Sequence, residues 1–520
     1  MRKTKDLLKS ALSAILAVAM ALVLVPANAL AADGYTLTLT GTTTGHTYEA
    51  YQIFKGDLSG STLSNVDWGS GIDSTKTGQL IAALKTDDTL KATFGSVTDA
   101  ASVAEALSNA KDDDAVAQAF ATVVSQYLST TKTSKDSAAD KTEISSLSAG
   151  YYLVKDKDNS VDSTKKDAYT RFILKVVADT SAAVKSNVPT VEKKVKDTND
   201  STGETTGWQD SADYDINDWV PYQITGTMPS NIDDYKTYKY SFTDTMSKGL
   251  TYDKNDADHK ATIKIGDKDV TSSFKETVTA NQDGTTTVTW ACDNLKGIEG
   301  VTLTKDSKVI VTYSAKLNDQ AVIGSAGNPN EVYLTFSNNP NKGGEGNTGK
   351  TPTDKNIVFT YKTVVNKVDQ DKKTLAGAGF TLQKKQSDGT YKDVKTFTAG
   401  DQTTFEFTGL DDGDYKLIES TTPAGYNTIA PVEFTISATH DEKADDPKLL
   451  TLSGDVTSGT AEFTADTNAG SLTTDVVNKK GSVLPSTGGM GTTMLYVGGA
   501  ALAAIAAFGI YQLRKKENED

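Results

Sequence analysis

The chain has little cysteine, proline, histidine or positive charge. Its 520 residues include a single cysteine, Cys292, so no disulfide can form within the chain. Eleven prolines and a hydrophobic content of 37% favour globular domains over a disordered stalk. A net charge of −15 supplies no cationic surface for phosphates, so we expect no nucleic-acid partner. The length itself predicts about three domains.

Motifs for catalysis or metal binding are also scarce. The histidines His46, His259 and His440 lie in polar, turn-like contexts without metal-ligand spacing. The sequence has no nucleophile elbow and no phosphate-binding loop. Acidic residues at positions 156–167 follow calcium-loop offsets, but Val161 stands where such a loop needs glycine, which favours a solvated acidic loop. We therefore expect a structural protein, not an enzyme, with no cofactor and no metal.

The N-terminal end has the pattern of a secretory signal peptide. Four basic residues at positions 2–9 precede an apolar run over residues 11–25. Small residues at 27–29 and 29–31 then offer two cleavage sites. The pattern predicts a signal peptide over residues 1–31, and the alternative is an anchor that stays uncleaved.

The C-terminal end contains three elements in a fixed order. An apolar stretch over residues 490–513 is long enough to cross a bilayer as a helix, and the basic residues 514–516 follow it. An ordinary membrane anchor would show these two elements alone. Here they are preceded by a pentapeptide made of Leu484, Pro485, Ser486, Thr487 and Gly488.

This order, over residues 482–520, resembles the sorting signal of sortase substrates. In that family a sortase cysteine attacks the bond that here joins Thr487 to Gly488, and an amine then releases the acyl-enzyme formed on the threonine. The resemblance implies secretion, transient retention in the membrane and covalent attachment to the cell wall. It names sortase and peptidoglycan as partners.

The region between the two ends predicts a mainly β protein built from tandem β-sandwiches. Residues 32–186 combine alternating strands with helical spacing near Leu80 and Phe120, so we expect helical insertions in this first domain. Residues 187–355 predict a longer sandwich of short strands, and residues 356–481 predict a small sandwich.

The third domain contains the motifs Asn-Lys-Val-Asp at 366–369, Leu-Ile-Glu-Ser at 417–420 and Val-Val-Asn at 476–478. Together they resemble the collagen-adhesin B-type repeat of Gram-positive pilins and adhesins. In that family a lysine and an asparagine condense into an isopeptide bond, with a glutamate as catalyst. Carried over, the residues are Lys367, Asn478 and Glu419.

The chemistry of this trio needs burial. An amine attacks an amide only when neutral, and burial disfavours the ammonium form. Burial also keeps a carboxyl protonated, so that Glu419 can donate a hydrogen bond and shuttle protons. Strand alternation places Lys367 on the face of Val365, and Asn478 on the face of Val476. The alternative is an exposed lysine near a turn.

The middle domain repeats the arrangement and resembles an isopeptide-forming fimbrial domain. The expected pair is Lys193 and Asn338, with Asp244 as the catalytic acid. The pair Lys194 and Asn339, each one residue further along, is the alternative. The first domain resembles the N-terminal domain of Gram-positive pilin subunits, so the resemblance covers nearly the whole mature chain.

Polymerised pilins of this kind often carry an acceptor lysine in a Tyr-Pro-Lys motif between the first and middle domains. Here the matching residues 188–190 read Val-Pro-Thr, so the lysine is missing. Lys185 is our candidate acceptor, and Lys194 and Lys196 are the alternatives. The remaining alternative is that all three are solvated surface lysines with no role in polymerisation.

Taken together, the patterns predict a shaft subunit of a covalent pilus, joined to neighbouring copies of itself. The alternative of the same class is a monomeric adhesin or minor pilin that is anchored to the wall and binds a host ligand. The alternative of another class is a wall-anchored hydrolase, which the missing catalytic motifs disfavour.

Overall fold

The computed structural model describes residues 34–110, 114–184 and 188–481. The predicted signal peptide, Lys185, the sorting pentapeptide and the predicted C-terminal membrane helix lie outside these residues. Within the described residues, no helix is both long enough and apolar enough to cross a membrane. The mainly β architecture expected from the sequence is confirmed.

The first part of the chain combines two small sheets with a helical layer. One sheet has the strand order β5-β1-β8 and the other β3-β2-β6-β7, with β4 also paired to β2. The predicted helical insertions are present. The elements are β1 Tyr35–Thr42, β2 Thr47–Ser59, β3 Thr62–Trp68, α1 Thr77–Thr86, α2 Lys91–Phe94, α3 Ala100–Asn109, α4 Asp114–Val124, β4 Thr133–Asp136, β5 Asp140–Leu147, β6 Gly150–Asp156, β7 Arg171–Val176 and β8 Thr180–Ala183.

Periodicity explains these elements. Leu37 and Leu39 alternate along β1 and are fully buried, as a half-exposed strand requires. Leu80 and Leu84 lie one helical turn apart in α1, and both are buried against the sheet. The helix α3 begins at a capping box in which the Asp99 carboxylate accepts a hydrogen bond from the Ser102 N–H at 2.8 Å.

The middle part is a sandwich of two larger sheets. One has the order β10-β21-β19-β12-β17-β16, with β20 paired to β19, and the other has the order β15-β14-β18-β11-β9, with β13 paired to β18. The strands are β9 Val191–Val195, β10 Ser211–Asp213, β11 Trp219–Thr227, β12 Tyr240–Met246, β13 Leu250–Thr251, β14 Thr262–Ile265, β15 Lys268–Asp269, β16 Lys275–Ala280, β17 Thr286–Cys292, β18 Lys308–Leu317, β19 Asn328–Ser337, β20 Thr348–Lys350 and β21 Asp354–Phe359.

The third part is a smaller sandwich. Its sheets have the orders β25-β22-β30-β29 and β24-β23-β26-β27-β28. Phe380, Phe405 and Tyr415 are among the buried side chains between them. The strands are β22 Tyr361–Asp369, β23 Gly379–Lys385, β24 Tyr391–Phe397, β25 Thr404–Leu410, β26 Gly413–Thr421, β27 Val432–His440, β28 Leu449–Ser458, β29 Thr464–Asp466 and β30 Ser471–Asn478.

In both sandwiches the first and last strands lie close together. The strands β22 and β30 are parallel neighbours, with Lys367 opposite Val476 and Asp369 opposite Asn478. In the middle sandwich, the Lys193 N–H on β9 donates a hydrogen bond to the Asp354 carboxylate on β21 at 2.6 Å. The strand β21 spans residue 355, where the sequence predicts the end of the middle domain.

The first and middle parts meet through hydrogen bonds to the loop after β19. The Asn338 side-chain amide donates to the Asp167 carbonyl at 3.1 Å, and the Tyr169 N–H donates to the Asn338 carbonyl at 2.8 Å. The Arg171 guanidinium reaches the Pro340 carbonyl at 3.1 Å. These bonds hold the segment that follows β6 against the middle sandwich.

The buried histidine His46 contacts the same segment from within the first domain. The two ring nitrogens of His46 lie 2.8 Å from the carboxylates of Asp156 and Asp167, and His46 is only 5% exposed. Burial alone would lower the pKa of His46, but the hydrogen bonds and charges of the two aspartates outweigh it and raise the pKa to about 10. At neutral pH the ring is a cation that joins the segment to the first domain.

A second, partly buried histidine lies where the middle and third parts meet. His440 Nε2 is 3.5 Å from Asp197 and 3.8 Å from Asp213. Burial opposes its charge, but the two aspartates raise the pKa of His440 to about 10. Both histidines lie in polar, turn-like sequence contexts. Their carboxylate partners are more than 100 positions away in the chain, so the sequence alone did not reveal these contacts.

The His46 site predicts a pH dependence. A raised pKa means that the folded state holds its proton more tightly than the unfolded chain. The stabilisation is therefore complete below pH 6.5 and is lost as the pH rises to about 10. In calorimetry of the full chain, the transition of the first domain should move to lower temperature across this range. A His46→Gln variant should lose that trend, and His259→Gln should keep it. An unchanged trend in His46→Gln would contradict the assignment.

Candidate functional site

The structure brings together the three residues that the sequence names in the third domain. Lys367 is fully buried, and its Nζ lies 3.8 Å from Glu419 Oε1. The Asn478 side-chain amide donates a hydrogen bond to Glu419 Oε2 at 3.1 Å. Glu419 therefore lies beside both the amine and the amide.

Each member of the trio lies on a different strand. Lys367 is on β22 and Asn478 is on the parallel neighbour β30, while Glu419 reaches across the sandwich from β26. The Ile429 N–H donates to Glu419 Oε2 at 3.1 Å, and the Lys367 amine donates to the Val476 carbonyl at 2.9 Å. Glu419 Oε1 and Asn478 Oδ1 are buried and have no hydrogen-bond partner in the described part of the chain.

The environment favours a neutral amine. Burial lowers the pKa of Lys367 to about 8, against the opposing charge of Glu419. About one amine in ten is then unprotonated at pH 7, compared with fewer than one in a thousand for a free lysine. Lys367 can therefore act as a nucleophile towards the carbonyl carbon of Asn478.

The middle sandwich contains a second buried lysine beside an acid. Lys193 is fully buried, and its amine contacts the Asp244 carboxylate and the Tyr313 hydroxyl, the latter at 2.7 Å. The Tyr313 hydroxyl donates to Asp244 at 2.9 Å. Lys193 is on the edge strand β9 and Asp244 is on β12 of the opposite sheet. The structure thus brings together the predicted lysine and the predicted acid.

Electrostatics in this second site also favour neutral groups. Burial lowers the pKa of Lys193 and raises the pKa of Asp244, although each charge partly stabilises the other. The rings of Tyr222 and Tyr313 surround the amine, with centroids 5.0 and 5.1 Å from Nζ. Removing both groups from water therefore works against the ion pair in this apolar setting.

The structure does not bring Asn338 to Lys193, and the expected pairing is corrected here. Asp244 lies opposite Val332 on β19, and Asn338 is six residues further along, or about 20 Å at the rise of a strand. Asn338 belongs to the joint between the first two domains. The alternatives are also elsewhere: Lys194 binds Asp210 at 2.6 Å, and Asn339 donates to Asn347 at 3.0 Å.

Two other asparagines face this site. Asn330 and Asn356 are fully buried and lie opposite each other on β19 and β21. The Asn330 amide donates to the Tyr313 hydroxyl at 2.8 Å. Neither side-chain atom of Asn356 has a hydrogen-bond partner among the described residues. A buried amide without partners is costly, and a covalent bond to its carbonyl carbon would remove the unpaired NH₂.

Sequence reasoning missed Tyr313, Asn330 and Asn356. The first two alternate with buried neighbours along β18 and β19, so strand parity alone could have listed them as candidates. Among the other acceptor candidates, Lys194 is tied to Asp210, and the Lys196 amine lies 5.0 Å from the centroid of the Trp208 ring.

Comparisons with known proteins agree with this architecture. Residues 216–340 match a Gram-positive pilin backbone subunit 2, Cna-B-like domain, residues 362–447 match a prealbumin-like fold domain, and residues 476–519 match an LPXTG cell wall anchor motif. The trypsin-resistant surface T6 protein of Streptococcus pyogenes serotype M6 is 25% identical over 399 residues, which span 65% of this chain and 70% of that protein. The chain is a Gram-positive sortase-assembled pilin.

A solved structure shows the same fold. The T6 backbone pilin of serotype M6 S. pyogenes has a TM-score of 0.52 at 18% identity, over 88% of the pilin described here and all of the T6 chain. The full-length major pilin SpaD of Corynebacterium diphtheriae has a TM-score of 0.46 at 19% identity, over 88% and 100% of the two chains. The pilin is a backbone subunit of a pilus attached to the cell wall.

The low pKa of Lys367 predicts a second pH effect, in a variant that cannot form a bond. Asn478→Ala leaves the amine buried and unreacted, with a pKa of about 8 when folded and 10.5 when unfolded. The folded state then binds the proton more weakly, so the stability of the third domain should rise between pH 8 and 10.5. Guanidinium unfolding at a series of pH values measures this rise. Adding Lys367→Met should abolish it, and a rise that persists in the double variant would contradict the assignment.

Proposed function

We propose that this pilin is the shaft subunit of its fibre, hardened by two internal isopeptide bonds and linked to its neighbours through Thr487. The observation that supports this most directly is the buried trio Lys367, Glu419 and Asn478, which lies where the first and last strands of a domain meet. The chemistry is stoichiometric, so the pilin acts as a substrate and a structural element and not as an enzyme.

In the third domain the reaction proceeds at the Asn478 side chain. The neutral amine of Lys367 attacks Cγ, while the Glu419 carboxylate takes up a proton from the lysine nitrogen and passes it to the departing amide nitrogen. The new Nζ–Cγ bond replaces the Cγ–Nδ2 bond, and ammonia leaves. Glu419 Oε1 and Asn478 Oδ1 are buried without a hydrogen-bond partner in the described part of the chain, which supports a proton transfer at this position.

In the middle domain we assign the partner of Lys193 as Asn356. Asn356 has no hydrogen bond to give up, and it lies on the same face of β21 as Asp354, whose carboxylate binds the Lys193 N–H. Asp244 is the acid. The alternative partner is Asn330, whose nitrogen already donates to Tyr313.

Both bonds would connect a first strand to a last strand. Closing a loop of more than 100 residues contributes roughly 4–5 kcal/mol in the entropy model for disulfides, which applies here by analogy. Tension along the fibre would then pass through the bond without loading the rest of the sandwich. This supplies the hardening that a chain with one cysteine cannot obtain from disulfides.

Intact mass spectrometry tests both bonds. The full chain should be lighter than its sequence by two molecules of ammonia. Lys367→Ala or Glu419→Ala should abolish one of these two ammonia losses, and Asn356→Ala should abolish the other. The control Lys362→Ala lies on the opposite face of β22 and should keep both losses.

The same measurement can reject the assignments. An unshifted mass in the wild-type chain would sink the proposal of internal bonds. If Asn330→Ala abolishes one ammonia loss while Asn356→Ala keeps both, the isopeptide partner of Lys193 is Asn330 and not Asn356.

Polymerisation follows from the sorting pentapeptide. Sortase would cleave after Thr487, and the acceptor amine of the next subunit would take over the acyl group. We assign this amine to Lys185, which precedes the middle domain in the chain. Peptidoglycan would be the final acceptor at the base of the fibre.

A denaturing gel of wall-released material tests the linkage. Probed with antibody to this chain, native cells should give a ladder of bands that survives boiling in detergent. Lys185→Ala should collapse the ladder, and Lys196→Ala should leave it intact. A single band near the mature mass in wild-type cells would support instead a monomeric wall-anchored adhesin, which would bind a host ligand.

A further inference from the structure

Tyr313 places its hydroxyl at the centre of the middle-domain site. The residue is 4% exposed and lies on β18. The Lys193 amine donates a hydrogen bond to this hydroxyl at 2.7 Å, and the Asn330 amide donates another at 2.8 Å. The hydroxyl donates its own proton to Asp244 Oδ2 at 2.9 Å. One phenol oxygen therefore connects the amine, the acid and a buried amide.

The directions of these three bonds follow from the chemistry of the partners. The lysine amine and the amide nitrogen both contribute hydrogens, so the phenol oxygen accepts from them and its single proton is left for Asp244. Asp244 Oδ2 then contacts both the amine and the phenol, while Oδ1 is buried without a hydrogen-bond partner in the described part of the chain. The phenol thus fixes which oxygen of the acid stays available to the amide.

The third-domain site orients its groups in another way. Glu419 Oε2 accepts hydrogen bonds from the Ile429 N–H at 3.1 Å and from the Thr422 hydroxyl at 3.3 Å. The Lys367 amine donates to the main-chain carbonyls of Val368 and Val476. Main-chain groups therefore direct the amine there, whereas a side-chain phenol directs it in the middle site. The chain contains two sites for one reaction, and only one of them uses a tyrosine in this position.

Orientation matters because an amine attacks through its lone pair. An N–H that is held by the Tyr313 oxygen cannot turn towards the amide, so the lone pair is left free for the carbonyl carbon. A misdirected amine would have to break a buried hydrogen bond before it could react, which is costly where water is excluded. Holding the Lys193 amine and Asp244 through one oxygen therefore prepares both groups for the reaction.

We propose that Tyr313 is a positioning residue for isopeptide formation in the middle domain, and that its hydroxyl aims the Lys193 amine and orients the Asp244 carboxyl. This inference rests on the proposed middle bond and adds a residue to it. The Nζ–Cγ bond forms and the Cγ–Nδ2 bond of Asn356 breaks. Asp244 transfers the proton of the lysine nitrogen to the departing ammonia, and Tyr313 keeps its own proton throughout.

The pH dependence of the reaction reports this role. Burial raises the pKa of Asp244, while the charge of Lys193 and the hydrogen bonds from Lys193 and Tyr313 act against that rise. Once Asp244 is protonated beside a charged amine, neither group can take up the lysine proton, so the rate falls at low pH. Without the Tyr313 hydroxyl, Asp244 takes up this proton more readily, and the fall begins at higher pH.

The other titratable groups that face the pair leave this expectation unchanged. They are Tyr222 on β11, Tyr252 just after β13 and Asp354 on β21. Among the described residues, none of the three forms a side-chain hydrogen bond with the Lys193 amine or the Asp244 carboxylate. Asp354 instead binds the main-chain N–H of Lys193.

Refolding of the full chain, followed by intact mass spectrometry over time, tests the role of Tyr313. Unreacted chain from inclusion bodies is diluted into buffers of increasing pH, and peptide mapping assigns each ammonia loss to its domain. Tyr313→Phe should slow the middle-domain loss roughly 10- to 100-fold, as expected for a lost hydrogen bond to a charged group. The low-pH fall in its rate should begin at higher pH than in the wild type. The third-domain loss should keep its wild-type rate and serves as an internal control.

Tyr252→Phe is the matched control for packing. It removes a buried hydroxyl that donates to Glu276 at 2.7 Å, and its ring packs edge-on against that of Tyr313 with centroids 5.5 Å apart. It should keep the wild-type rate and pH profile of the middle-domain loss. In a second chain, 3-fluorotyrosine at position 313 keeps the hydroxyl and makes it a stronger donor. The low-pH fall should then begin at lower pH than in the wild type.

The role of Tyr313 is overturned if Tyr313→Phe forms the middle bond at the wild-type rate, or if Tyr252→Phe slows it equally. A rate that drops at every pH with the low-pH fall in its wild-type place would show a structural effect alone and also overturns it. Should Tyr313→Phe not fold, an unshifted profile in the 3-fluorotyrosine chain has the same meaning. A wild-type chain that never loses the middle-domain ammonia rejects the proposed bond itself, which separates that failure from the others.

Discussion

The architecture of the pilin depends on placing a lysine amine inside an apolar β-sandwich. Water stabilises an ammonium ion far better than a core does, so a buried lysine must either be paired or become neutral. Lys193 and Lys367 are both fully buried, and each lies beside an acid that reaches over from the opposite sheet. This constraint also fixes how the strands are arranged, because the lysine amine can reach its partners only if the first strand of the domain lies against the last.

The contacts between domains also place basic side chains beside carboxylates, but there the charged groups have a structural role. His46 is a buried cation and His440 a partly buried one, each between two aspartates, and each supports a contact between neighbouring domains. The pKa of each histidine is raised and that of each of the two lysines is lowered, because two carboxylates outweigh the cost of burial where one acid does not. The number of carboxylates around a buried base thus separates a reactive amine from a structural cation.

The sequence predicted the mainly β fold and the meeting of Lys367, Glu419 and Asn478, because motifs and strand parity agree there. Parity also placed Lys193 in the core. It could not choose among Asn330, Asn338 and Asn356, since every second residue of a strand shares a face and parity does not show which of them lies level with Lys193. That choice depends on the register between β12 and β19, which is a long-range property. The contacts of His440 with Asp197 and Asp213 were hidden for the same reason, because these residues meet only once two domains have docked.

The direction of β22 and β30 has a geometric consequence. Since these strands are parallel neighbours, the chain enters the third sandwich at one pole and leaves it at the other. An antiparallel pair would have returned the chain to the pole where it entered. The segment that carries the sorting pentapeptide therefore starts at the far end of the domain, and in the proposed fibre the length of this sandwich would add to the spacing between subunits.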